Sequence, residues 1–129
     1  VNDYKPDIVI LGWGMNTGGL NKSEFKIKMS ELMNKIKEKN PECEFIMVAT
    51  MLPNEEFVAC FREQTTYRYA LAELETEGVV MANMSEIHEY LISKKRYSDV
   101  SGNNTNHCND YLTRWYAEVV LETMLAPEK

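Results

Sequence analysis

The stretch DIVILG at residues 7–12 decides the fold class of this 129-residue chain. Its β-branched and aliphatic side chains follow one another without alternating with polar ones, and the run stops at Gly12. A continuous apolar strand is typical of a parallel sheet that helices cover on both faces. We therefore expect this segment to be a strand that is buried on both faces.

Two further apolar runs, EFIMVATML at 44–52 and VVMANM at 79–84, predict a second and a third strand. Amphipathic segments separate the three runs. A strand, a helix and a second strand within about 45 residues favour a right-handed crossover, which makes the strands parallel. We predict one three-layer α/β/α domain over residues 1–129, with a flavodoxin-like parallel sheet of which three strands are clear.

The helices follow from apolar side chains spaced three and four apart. The first is predicted over residues 23–40, with Ser23 as its N-cap and Pro41 ending it. Further helices are predicted at 55–77 and 87–92, and a last one begins at Asn109 or Asp110. Residues 97–109 have no periodicity and are predicted to be a polar loop.

Three strands are few for this class, because doubly wound sheets usually have about five. We therefore expect one or more strands of the native fold to precede Val1. On this interpretation the missing N-terminal segment of the same domain is a partner of this chain.

Charge and cysteine content argue against several classes of partner and site. Lys and Arg total 14 against 20 Asp and Glu, which gives a net charge of −6, and the basic residues are scattered. We expect no nucleic-acid partner and no membrane partner. The three cysteines show no CxxC or Cys/His ligand spacing, so we expect neither a disulfide framework nor a zinc site. We also predict no other metal and no cofactor.

The loop GWGMNTGG at 12–19 follows the first strand, and ligands of parallel sheets bind where strands end. Its glycine spacing differs from a dinucleotide fingerprint, and it lacks the Lys and Ser/Thr of a phosphate loop. Either the glycines only supply a turn, or Asn16 donates its side-chain NH₂ to an oxyanion. In the second case Trp13, Gly14 and Met15 are candidate pocket residues.

The loop SGNNTNHCNDY at 101–111 contains His107 among polar residues, directly before the last helix. This setting makes His107 a candidate general base. His88 lies on a predicted helix and is interpreted as structural. Cys108 is not expected to act with His107, because a base must face its nucleophile through space.

Together these blocks resemble the SGNH (GDSL-type) esterase and acylhydrolase superfamily. The similarity consists of Gly14-Met15-Asn16 after the first strand, the Met-Leu-Pro-Asn at 51–54 after the second, and Ser-Gly-Asn-x-x-Asn-His-x-Asn-Asp-Tyr at 101–111. The resemblance implies a flavodoxin-like fold and ester hydrolysis by a serine nucleophile. It also implies that His107 is the general base and that Asn16 contributes to the oxyanion hole.

The chain departs from the family pattern at several positions. No Gly-Asp-Ser block occurs, so the resemblance implies a nucleophile outside this chain and a start just before the family's third strand. Asn104 stands where the acidic member of the triad usually lies, and is a possible orienting residue for His107. Thr17 and Cys108 stand where Asp and Pro are common.

Three functions are compatible with this pattern. The first is an ester hydrolase that removes acetyl or other short acyl groups from a carbohydrate or small ester, with this chain inactive alone. The second is a catalytically degenerate SGNH-like binding domain. The third is a flavodoxin-like small-ligand or signalling domain in which His107 is structural.

Overall fold

The computed structural model describes residues 3–17, 19–57 and 61–126. The strands are β1 (Ile8–Leu11), β2 (Glu44–Ala49) and β3 (Val79–Asn83). The helices are α1 (Lys22–Lys37), α2 (Gln64–Ala72), α3 (Met84–Ile92), α4 (Tyr97–Val100) and α5 (Asp110–Leu125), and a 3₁₀ turn spans Glu55–Phe57. Within these residues, no helix combines the length and apolarity needed to cross a bilayer.

The three strands are parallel and lie in the order β1-β2-β3. Helices α1 and α2 pack on one face of the sheet, and α3 and α5 pack on the other. The predicted three-layer α/β/α architecture is confirmed. Because all three strands point the same way, the segments that follow them meet at one edge of the sheet.

Strand β2 is buried on both faces, as its uninterrupted apolar sequence predicts. Phe45 and Met47 face α1 and α2, whereas Ile46 and Val48 face α3 and α5. All four are at most 5% exposed. This strand is the centre of the core.

Strand β1 is not buried on both faces, so that prediction was wrong. Val9 and Leu11 pack against the α1/α2 core. Ile8 and Ile10, on the opposite face, are 40% and 51% exposed. Among the described residues α5 packs over β2 and β3, and nothing fully covers β1 on that side. The apolar run predicted the strand itself, but the burial of its two faces depends on the elements packed against them.

The predicted start of α1 was also wrong. The N-cap is Asn21, whose side-chain oxygen accepts a hydrogen bond from the Glu24 N–H at 3.0 Å. The Glu24 carboxylate in turn accepts one from the Asn21 N–H at 3.0 Å. This reciprocal capping box places Ser23 inside the helix, and the helix ends at Lys37 rather than at residue 40.

Other boundaries shift by smaller amounts. The helix predicted over 55–77 is a 3₁₀ turn followed by α2, while Val58 and Cys60 lie outside the described residues. Met84 begins α3 instead of ending β3. The predicted loop at 97–109 opens with the short helix α4, and Asn109 is the N-cap of α5.

Candidate active site

Three segments meet beyond the carboxyl edge of the sheet. We call residues 14–17, which follow β1, the Asn16 turn; residues 50–54, which follow β2, the β2 loop; and residues 101–109 the His107 loop. Hydrogen bonds between the segments fix their relative positions. Both predicted catalytic residues therefore belong to one cluster of loops.

The Asn16 turn depends on a glycine. Gly14 has a φ of +127°, and a Cβ at this position would lie 3.1 Å from the ring of Tyr67. Thr17 closes the turn, because its N–H and its hydroxyl donate to the Gly14 carbonyl oxygen at 3.2 and 2.9 Å. The Asn16 side chain is left exposed at the tip.

Helix α2 holds this turn from the side of the core. The buried Gln64 donates from Nε2 to the Gly14 carbonyl at 2.8 Å and to the Met15 carbonyl. The Tyr67 hydroxyl lies 2.5 Å from the Thr17 carbonyl oxygen, and burial raises the pKa of this phenol. The sequence analysis missed Gln64, whose only signal is a polar side chain between apolar positions of a helix.

The three candidate pocket residues do not share one environment. The Trp13 ring stacks on Phe25, with ring centroids 5.3 Å apart, on the α1/α2 side of the sheet. Gly14 is buried in its turn. Met15 alone lines the apolar groove between the sheet and α5.

The backbone of the His107 loop is organised by one side chain. Asn103 Oδ1 accepts hydrogen bonds from the N–H groups of Thr105, Asn106 and His107, each at 3.0 Å. The His107 carbonyl oxygen accepts from the Ser101 hydroxyl at 3.0 Å. These bonds fix the backbone from which the His107 side chain extends.

The His107 imidazole itself is exposed and makes no hydrogen bond to another described residue. It is therefore free to accept a proton from a group that approaches from outside. Asn104, the possible orienting residue, has a φ of +56° and an exposed side chain. Its carbonyl accepts from Asn54 Nδ2 at 2.8 Å, and the described structure contains no hydrogen bond from its side chain to His107.

Asn106 joins the two loops. This buried residue directly precedes His107, and its Nδ2 lies 3.5 Å from both the Met15 carbonyl oxygen and the Asn16 Oδ1. Both contacts are long for hydrogen bonds. The amide oxygen of Asn16 faces Asn106, and the Asn16 NH₂ has no hydrogen-bond partner among the described residues. The Asn16 amide and the His107 imidazole, neither with a partner among the described residues, thus lie on neighbouring loops, 91 residues apart in sequence.

The β2 loop supports this arrangement. The Asn54 N–H donates to the Thr105 carbonyl at 2.8 Å, which ties the β2 loop to the His107 loop. The Leu52 N–H donates to His88 Nδ1 at 3.0 Å. His88 is fully buried, and burial lowers its pKa to about 4. The second histidine is thus a neutral acceptor within the scaffold.

An apolar groove of about 730 Å³ runs from the site along the open face of β1 and under α5. Its lining includes Met15, Thr50 and Cys108. Cys108 Sγ lies 3.2 Å from the Thr113 hydroxyl. The described structure shows no hydrogen bond between this thiol and the neighbouring His107.

Comparisons with known proteins bear on the fold. No protein-family model matches the chain, and no curated protein sequence matches it significantly. Among solved structures, the crystal structure of a carbohydrate esterase family 3 from Talaromyces cellulolyticus is similar, with a TM-score of 0.72 and 18% sequence identity. The match covers 97% of this chain and 60% of the esterase chain. The chain therefore has the fold of that part of the esterase and spans 60% of its length.

Proposed function

We propose that this chain forms part of a serine ester hydrolase of the SGNH type, with His107 as general base and Asn16 as oxyanion donor. The proposal rests on Asn106, which directly precedes His107 and whose side chain approaches the Asn16 turn. The Asn16 NH₂ therefore lies beside the segment that contains the His107 imidazole, and neither group has a partner among the described residues. The similarity in fold to a carbohydrate esterase supports it.

The chemistry requires a nucleophile that the proposal assigns to a segment outside these 129 residues. In the described structure no serine hydroxyl bonds to the His107 imidazole, and the nearby Ser101 hydroxyl is engaged by a carbonyl oxygen. An incoming serine would transfer its proton to His107 as its oxygen attacks the ester carbonyl. The negative charge that develops on the carbonyl oxygen would be stabilised by the Asn16 NH₂.

The open face of β1 suggests where that segment binds. A strand that pairs with the free edge of β1, followed by a helix in the apolar groove, would cover Ile8 and Ile10. A parallel strand at this edge ends beside the Asn16 turn, so a serine at its carboxyl end would face the site. The substrate we propose is an acetyl or other short acyl ester of a carbohydrate, in keeping with the similar esterase.

Hydrolysis assays on the full-length protein test the proposal. We expect release of p-nitrophenol from the acetyl ester but little from a long-chain ester, and no turnover by residues 1–129 alone. Asn16→Ala should reduce kcat by about 10²- to 10³-fold, the usual effect of removing one oxyanion donor. Asn34→Ala, an exposed amide on α1, is the matched control. Full activity of Asn16→Ala would refute the assigned role.

Substitutions at an exposed and at a buried position of the same sheet face test the covering segment. Ile10→Ala should change the free energy of unfolding by less than about 0.5 kcal/mol in residues 1–129, because half of the side chain is exposed. In the full-length protein the same substitution should cost at least about 2 kcal/mol. Val48→Ala, at a buried position of β2, should cost the same in both. An equally small effect of Ile10→Ala in both would contradict the proposal.

One observation favours a second function, a binding domain that has lost catalysis. The Asn104 side chain makes no hydrogen bond to the His107 imidazole in the described structure. A catalytically degenerate domain would bind an acetylated saccharide without releasing acetate. Isothermal titration calorimetry with an acetylated saccharide, together with an assay for released acetate, separates the two functions. Binding without release of acetate would indicate the binding domain, and release of acetate would indicate the hydrolase.

A further inference from the structure

We infer that Gln64 is a positioning residue that presents the Asn16 amide to the reacting carbonyl. The inference rests on the proposed function for its catalytic consequence, but its structural part stands on the contacts of this chain alone. Gln64 lies on α2, 50 residues from the turn that it holds.

The contacts of Gln64 are directed at the turn itself. Its Nε2 supplies hydrogen bonds to two successive carbonyl oxygens, those of Gly14 and Met15. Since both neighbours are acceptors, only the NH₂ end of the amide is compatible with this position. The Asn16 backbone follows directly, so these bonds set the direction in which its side chain leaves the turn.

The cost of the arrangement argues for a specific role. Gln64 is 5% exposed, and its Oε1 has no hydrogen-bond partner among the described residues. An unpaired buried acceptor is destabilising, and an apolar side chain of the same size would not carry one. A methionine would fill the same volume but would not hold the two carbonyl groups.

A second amide completes the clamp from the other side. Asn106 Nδ2 approaches the same Met15 carbonyl oxygen at 3.5 Å. The Met15 carbonyl, bonded to Gln64 on α2, therefore also faces the His107 loop. Gln64 fixes the turn to the core, and Asn106 relates it to the segment that contains His107.

Hydrogen exchange on the full-length protein tests the structural part. The reporter is the Thr17 N–H, which closes the turn by donating to Gly14. We expect Gln64→Glu and Gln64→Met each to accelerate its exchange by about tenfold, the effect of losing about one hydrogen bond. Thr65→Glu, which adds the same charge to α2 without removing these contacts, is the control and should leave the rate unchanged. Unchanged exchange in Gln64→Met, with the fold intact by circular dichroism, would overturn the clamp.

A double-mutant cycle in the full-length protein tests whether Gln64 acts through Asn16. Gln64→Met should lower kcat by about tenfold with KM within about twofold, because the oxyanion contact strengthens in the transition state. Combined with Asn16→Ala, it should cause no further loss. An additive loss, or an effect on KM alone, would overturn the positioning role. If the full-length protein hydrolyses no ester, the proposed function fails, while the exchange rate of Thr17 still decides the clamp.

Discussion

The two histidines of the chain lie 19 positions apart in sequence and occupy opposite environments. His88, on α3, is fully buried, and its Nδ1 accepts a hydrogen bond from the Leu52 N–H at 3.0 Å. His107 is exposed at the carboxyl edge of the sheet, and its imidazole has no hydrogen-bond partner among the described residues. The same side chain is thus a buried hydrogen-bond acceptor in one region and an exposed imidazole without a described partner in the other.

The difference shows what separates a scaffold histidine from a catalytic candidate. His88 is held neutral by burial and packs against the edge of the Tyr97 ring, with ring centroids 5.5 Å apart. His107 has its backbone fixed by Asn103 and Ser101, while the ring faces solvent. A fixed backbone with an unengaged imidazole is the arrangement that proton transfer to a bound partner requires.

The largest expected effect concerns His107 in the full-length protein. His107→Ala should lower kcat for ester hydrolysis by about 10²- to 10⁴-fold, because the serine loses its proton acceptor. The free energy of unfolding should stay within about 0.5 kcal/mol of the wild-type value, since the side chain is exposed. Urea titrations beside the activity assay check both. If His107→Ala lowered both kcat and the free energy of unfolding, His107 would have a structural role instead.

The second effect concerns stability at His88. His88→Ala should lower the free energy of unfolding by about 3 kcal/mol, because it leaves a cavity and an unpaired Leu52 N–H. His88→Gln retains a hydrogen-bond acceptor and should cost less. Equal free energies of unfolding for His88→Ala and His107→Ala would contradict the structural role of His88.

The third effect is a pH dependence of stability. Burial lowers the pKa of His88 from its ordinary value of 6.5 to about 4, so the unfolded chain takes up the proton first as the pH falls. The stabilisation from the neutral ring is complete above pH 6.5 and is lost toward pH 4, by up to about 3 kcal/mol. Urea titrations at pH 7 and pH 4.5 should show a larger loss for the wild type than for His88→Gln. Equal losses would contradict this assignment.

The smallest effect concerns the orienting position. Asn104→Asp in the full-length protein should raise kcat a few-fold or shift the pH optimum, because a nearby carboxylate favours the imidazolium form. Both residues tolerate the left-handed backbone found here. The pH profile of kcat is the measurement, and an unchanged profile would show that residue 104 does not act on His107.

The sequence was sufficient to predict the order of the strands and helices, but not which faces of them are buried. Three apolar runs predicted β1, β2 and β3 because buried parallel strands need continuous apolar side chains. The same signal could not show that Ile10 is half exposed, since the covering element is no part of the strand. At the start of α1, Asn21 and Ser23 are both good caps, and the choice follows from Glu24, which can bond back only to Asn21.

For the candidate site, the sequence supplied the side chains and the structure supplied the contacts between them. Gly14-Met15-Asn16 pointed to chemistry because it follows a strand end, and His107 because it lies in a polar loop directly before the last helix. Gln64 was not predictable, because its partners are backbone carbonyl groups, which leave no trace in side-chain patterns. Asn106 was one of several similar amides in its loop, and only the fold distinguishes it.

Labelling of the full-length protein with a fluorophosphonate most directly tests the claim that His107 activates a serine at this site. The account predicts one phosphonylated serine per chain, outside these 129 residues. It also predicts that labelling slows by at least about 10²-fold in His107→Ala and stays unchanged in His88→Gln. Labelling of a serine within these residues, or labelling at the wild-type rate in His107→Ala, would contradict it.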